Sequence, residues 1–122
     1  MSAEQELRRQ REALAEGVNR HDLESVKGFI HPSYVGRSKS GHTGGFQDVL
    51  GLVERLLGPG SDFREEVEIE DLTVSGDRAR VTVRRTHEMT RWLWIKHRGV
   101  SRAVETWWNV DRRGQLVEEQ EL

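Results

Sequence analysis

The chain has no cysteine, which excludes a disulfide framework, thiolate metal sites and a cysteine nucleophile and fits a reducing compartment. It has two prolines and a single tyrosine, so Tyr34 is the one phenol any chemistry could use. No apolar stretch approaches membrane-spanning length, and the charged start, Met1 to Glu6, does not read as a signal peptide. A cytoplasmic protein without membrane contact is expected. Neither sign of charge dominates: 19 basic against 21 acidic residues give a formal charge of -2. Without a sustained like-charge block there is no electrostatic footprint for nucleic acid or anionic lipid. The histidines at 21, 31, 42, 87 and 97 lack paired ligand spacing, so no metal is expected, and nothing calls for a cofactor.

What is present is enough for one domain spanning 1–122, long enough to bury a core unaided. Helical patterns come first and strands later, which argues for an α+β fold. Ser2 with Gln5 can form a capping box, and Leu7, Leu14 and Val18 give a helical stripe ending near Gly17. Asp22 to Ile30 reads as a second helix that Pro32 ends. Phe46, Val49, Leu50, Val53, Leu56 and Leu57 recur at helical spacing until Gly58-Pro59-Gly60. Between these helices Gly41-His42-Thr43-Gly44-Gly45 lacks the lysine and spacing of a phosphate loop and reads as a flexible loop. In Phe63 to Val74, Val67 and Ile69 alternate on one parity and Leu72 and Val74 on the other, so a β-bulge is expected near Glu70-Asp71.

Three further strands, Arg78 to Ile95, Val100 to Asp111 and Gln115 to Leu122, complete the pattern. A turn centred on Lys96 to Gly99 would set His87 opposite Trp108. A second turn closed by Gly114 would set Trp108 opposite Glu118. One face then carries Arg85, His87, Met89, Thr106, Trp108, Glu118 and Gln120 among apolar neighbours, a polar island that suggests a pocket. A one-residue slip would send that island to solvent. The opposite face would carry Trp92, Trp94, Trp107 and Glu105, an aromatic cluster of the kind that marks an interface. The alternative is a hairpin tip that folds over the body and buries Trp92 and Trp94.

Asn19-Arg20-His21-Asp22-Leu23 with Phe29 and Tyr34-Val35, then Val67 to Ala79, then Trp108 to Glu119 together resemble the nuclear transport factor 2-like superfamily. Within that superfamily, also called the cystatin-like cone, they resemble the SnoaL-like branch, and the likeness spans almost the whole chain. It implies N-terminal helices packed in the concave face of a curved, mainly antiparallel sheet, and a homodimer through the outer sheet face. It also implies a small hydrophobic or carbonyl ligand. The ketosteroid isomerase roles fall at Leu14, Arg37 and Thr106, none of which can perform them, so steroid isomerase chemistry is not expected. An epoxide hydrolase would need aspartates beside Arg85, and the inner face offers none.

His87 and Glu118 could form an acid–base pair, with Tyr34 as donor and Arg85 or Arg37 binding an oxyanion or carboxylate. Equally, His87 could be a satisfied core histidine and Glu118 a partner for Arg85. The expected function is small-molecule binding in a SnoaL-like domain, whose enzymatic version would be a cofactor-independent cyclase, dehydratase or isomerase acting on a small hydrophobic carbonyl compound. The alternative is a non-enzymatic interaction domain with a vestigial pocket.

Overall fold

A computed structural model describes residues 2–92, 95–110 and 112–122. Its element order is α1 (Ala3–Asn19), α2 (Leu23–Gly28), β1 (Ile30–Arg37), β2 (Thr43–Gly45), α3 (Phe46–Leu57), β3 (Arg64–Ser75), β4 (Arg78–Trp92), β5 (Ile95–Trp108) and β6 (Gln115–Glu121). The strands form one curved mixed sheet in the order β2-β1-β6-β5-β4-β3. All neighbouring pairs are antiparallel except β1 and β6. This is the α+β class expected from the order of helices and strands, curved into the cone that the resemblance implies. Among the described residues no helix is long and apolar enough to cross a membrane.

Local chemistry sets the helix boundaries. At the start of α1, Gln5 N donates to Ser2 Oγ at 3.1 Å and Ser2 N to Gln5 Oε1 at 3.0 Å, the reciprocal capping box. α2 is capped by Asp22, which accepts from Ser25 N. It stops at Gly28, four residues before Pro32, and the proline falls inside β1 where the register with β6 slips between Ile30 and Val35. Proline is tolerated at such an irregularity because no ladder donor is required of it. Thr43–Gly45, expected as loop, instead pairs with Val35 to Arg37 as β2.

The Asn19 to Asp22 segment serves the backbone. Asn19 exchanges two 2.8 Å hydrogen bonds with the Glu65 N–H and C=O, and His21 Nε2 lies 2.7 Å from Phe63 O. These contacts tie the end of α1 to β3. The expected bulge is present: Ile69 pairs with Val83 but Asp71 with Thr82, leaving Glu70 as the extra residue.

The β4–β5 register differs from the expected one. Trp92 pairs with Ile95 and Thr90 with Lys96, so Lys96 to Gly99 are strand and not a turn, and His87 lies opposite Gly99, not Trp108. The slip from position 108 to position 99 is odd, so β5 presents its other face to the helices. Ala103, Glu105 and Trp107 are therefore buried, with Trp107 and Glu105 both at 0 % exposure. Thr106 and Trp108 take the opposite face. β6 follows with it: Glu119 pairs with Glu105, and Glu118 with Thr106. The β5–β6 connection is longer than expected, with Asn109 rather than Gly114 in the left-handed region. Gly114 N instead donates to the buried Gln10 side chain at 2.8 Å.

The core thus joins Leu7 and Leu14 of α1 to Ala79, Val81 and Val83 of β4, Ala103 and Trp107 of β5 and Leu116 of β6. Phe29 meets Trp107 edge-on at 6.2 Å. In urea denaturation Trp107→Ala should lose about 3–5 kcal/mol, whereas the half-buried Trp108→Ala should lose only about 1 kcal/mol. A larger loss for Trp108→Ala than for Trp107→Ala would mean that β5 faces the other way.

Candidate functional site

Glu105 is fully buried among apolar side chains, a position that a carboxylate occupies only when paired. Arg11, itself 4 % exposed, donates from Nη2 to Glu105 Oε2 at 3.0 Å. Its Nε lies 2.8 Å from Oε1 but off the hydrogen-bond axis. Trp107 Nε1 donates to Oε1 at 3.1 Å, and Arg85 Nη2 donates to Oε2 at 2.5 Å. Arg85 Nη2 also pairs with Glu119 Oε1, and Tyr34 Oη donates to Glu119 Oε2 at 2.8 Å. The result is a chain of alternating charge, Arg11, Glu105, Arg85, Glu119, ending on the phenol.

The sheet register explains why the chain needs Arg85. Glu105 and Glu119 are direct cross-strand partners on the same face, and like charges so placed repel unless a cation joins them. Gly36, the neighbour of Glu119 on β1, leaves room for the phenol: a Cβ there would come within 2.5 Å of Tyr34 Oη.

Burial alone would raise the Glu105 pKa, but the Arg11 and Arg85 charges overcome it and hold the carboxyl below its ordinary value. Burial likewise opposes the charge on Arg85, yet Glu105 and Glu65 raise its pKa further. The Tyr34 phenol is pushed up chiefly by burial, against the pull of Arg85, so it stays a protonated donor at neutral pH.

Beside this chain lies a cavity of about 400 Å³. Tyr34, Arg85 and Glu119 line it with Ser101 and Ala103, α3 contributes Val49 and Leu52, and Glu121 and Asp48 stand in its wall as well. Asp48 accepts from Gly45 N at 2.8 Å, which also caps α3, and Glu121 accepts from Lys39 N at 3.0 Å. Among the described residues no group of histidines and carboxylates is arranged to hold a metal.

Of the residues singled out in the sequence, Tyr34 and Arg85 meet at this cavity. Arg37 borders it, but its guanidinium binds Glu118 at 2.6 Å. His87 lies elsewhere on β4, stacked on Phe63 at 6.1 Å and 5.9 Å from the His97 ring. Met89 packs against the core opposite His97. Thr106, Trp108, Glu118 and Gln120 do not line the cavity, because the register slip places them on the opposite face. There Trp108 stacks edge-on with His31 at 5.0 Å and carries the Arg78 guanidinium 4.7 Å from its ring centre. Trp107 and Glu105, expected on an outer interface, are core residues. Trp94 and the Trp92 side chain lie outside the described residues.

Glu119 was missed because its parity depends on the β4–β5 turn. Arg11 had a legible signal: with Leu7, Leu14 and Val18 it completes the 4-3-4 spacing of the buried face of α1.

Removing Arg11 strands a buried anion, so Arg11→Ala should lose about 3–5 kcal/mol. The acid response has a definite sign. A carboxyl whose folded pKa is depressed contributes stability that is present above its unfolded pKa and is lost as pH falls through the folded value. Wild type should therefore lose stability below the ordinary carboxylate range, and Glu105→Gln should flatten that loss in acid titrations followed by near-ultraviolet circular dichroism. An unchanged acid profile in that variant would remove Glu105 from the account.

No family model matches the sequence, and no curated protein matches it either. Solved structures do match. A conserved protein from Planctomyces limnophilus is similar with a TM-score of 0.82 at 11 % identity, over 93 % of this chain and 90 % of that one. A nuclear transport factor 2-like protein from Cytophaga hutchinsonii gives 0.78 at 15 % identity, covering 99 % and 98 %. A ketosteroid isomerase-like protein from Erwinia carotovora atroseptica gives 0.72 at 13 % identity, covering 94 % and 92 %. The chain therefore has the fold of the nuclear transport factor 2-like superfamily, the cystatin-like cone.

Proposed function

We propose that the protein is a small-molecule-binding domain whose site is the cavity floored by Tyr34, Arg85 and Glu119. The observation that carries this reading is the charged chain itself. A fold of this kind needs only apolar packing there, yet this chain buries Glu105 and Arg11, half-buries Arg85 and Glu119 beside them and ends the series at the wall of a cavity. Its volume falls within the range of about 300–1,000 Å³ typical of ligand pockets, and its walls mix apolar groups with a few convergent polar ones. A small hydrophobic carbonyl compound fits that mixture.

Binding is better supported than catalysis. Both Glu119 oxygens are already engaged, one by Arg85 and one by Tyr34, and a general base needs a free lone pair directed at its substrate. A cyclase, dehydratase or isomerase step would require a ligand that displaces one of these partners, with Tyr34 or Arg85 then facing the developing oxyanion. His87 and Glu118 are too differently placed to share that task. The same internal pairing favours, as second reading, an interaction domain with a vestigial pocket. In that case a homodimer would use the sheet face bearing Trp108, Arg78 and the exposed Val100.

A thermal-shift screen of small ketones and phenols, followed by calorimetric titration of those that stabilise the protein, separates the two readings. Ser101→Trp fills the cavity from a half-buried position and should weaken any binder at least about tenfold. Absence of binders, or a variant that binds as wild type does, would leave the interaction domain.

A further inference from the structure

The lining of the cavity balances three arginines against three carboxylates, but the arginines are all engaged. Arg37 pairs with Glu118 and Arg102 with Glu70, neither of which lines the cavity. Arg85 is shared between Glu105 and Glu119, and Arg11 supplies the second cation for Glu105. The chain of Arg11, Glu105, Arg85 and Glu119 is thus neutral as a unit.

Two carboxylates in the cavity wall have no such cation among the described residues. Glu121 accepts from the Lys39 backbone N–H and Asp48 from that of Gly45. An amide donor stabilises a carboxylate without cancelling its charge. Of the other described groups in the lining, His42 Nδ1 lies 3.0 Å from Ser40 Oγ, and the N-terminal end of α3 is already met by Asp48 as its capping side chain. Val49, Leu52 and Ala103 line the space beside the two carboxylates, and carboxylates that no cation neutralises raise the local concentration of an entering cation.

We propose that the cavity discriminates by charge, taking a protonated amine on a small apolar body in preference to a carboxylate of the same shape. The apolar body packs on Val49, Leu52 and Ala103, and the ammonium group sits between Glu121 and Asp48. This inference depends on the cavity being a ligand site, as proposed above, and adds the charge that the ligand's polar group carries.

Three probes of one shape test it: 2-phenylethylamine, 2-phenylethanol and phenylacetate, titrated into nitrogen-15-labelled protein and followed at the amides of Gly44, Gly45, Ser101 and Ala103. The amine should bind at least about tenfold more tightly than phenylacetate at low salt, and the preference should shrink at about 1 M salt, where screening acts within a few ångströms. It should shrink in the same way in Glu121→Gln and further when Asp48→Asn is added. Equal or tighter binding of phenylacetate, or a preference indifferent to salt and to Glu121→Gln, overturns the charge inference while leaving a ligand site in place. Amides that respond to none of the three probes overturn the ligand site and the inference with it.

Discussion

A negative charge at position 105 must be neutralised before the sheet can close over α1, and much of the molecule is arranged around that requirement. Arg11 reaches it from the helix, Arg85 from the neighbouring strand and Trp107 from its own strand. Replacing such a group by an apolar side chain of similar volume is often neutral or stabilising, so stability alone does not explain why a cone of this kind keeps it. What the network adds is position. It fixes Arg85 between two anions and thereby fixes Glu119 and the Tyr34 hydroxyl at the cavity wall, with their orientation determined by ion pairs instead of by loose packing.

How much of this was legible in the sequence depends on which signals were local. The capping box at Ser2, the stripe of α3 and the bulge at Glu70 are decided within a dozen residues, and each appears where the pattern placed it. The inner parity of β4, with Val81, Val83 and Arg85 on one face, was equally readable. The face of β5 was not, because it is set by the position of a reversal whose local chemistry misleads. Lys96-His97-Arg98-Gly99 has the composition of a turn, yet these residues are strand, and Gly99 accommodates the His87 ring, which leaves no room for a Cβ. One displaced turn exchanged Trp107 with Trp108 and Glu119 with Glu118, so a nearly correct fold carried a largely displaced site.

The two sheet edges are managed differently. β2 is only three residues long, whereas β3 is twelve and offers an unpaired edge that could template association. Exposed Glu66, Glu68 and Glu70 line it, and the bulge at Glu70 interrupts its ladder, two devices that discourage edge-to-edge pairing. The face opposite the helices mixes exposed Arg80 and Arg84 with Trp108, so any association there would be more polar than a core.

β1 and β6 lie side by side and parallel, with Leu116 N donating to Phe29 O and Glu119 beside Gly36. This joins one of the earliest strands to the last. Loop closure over so long a separation is slow compared with hairpin formation, and a chain made from its N-terminus holds Arg11 without Glu105 until β5 has been synthesised and Tyr34 without Glu119 until β6 has. β3, β4 and β5 can pair with one another before then. The cavity wall therefore cannot close before β6 is in place, and an interrupted chain would expose the sheet edge where β6 belongs.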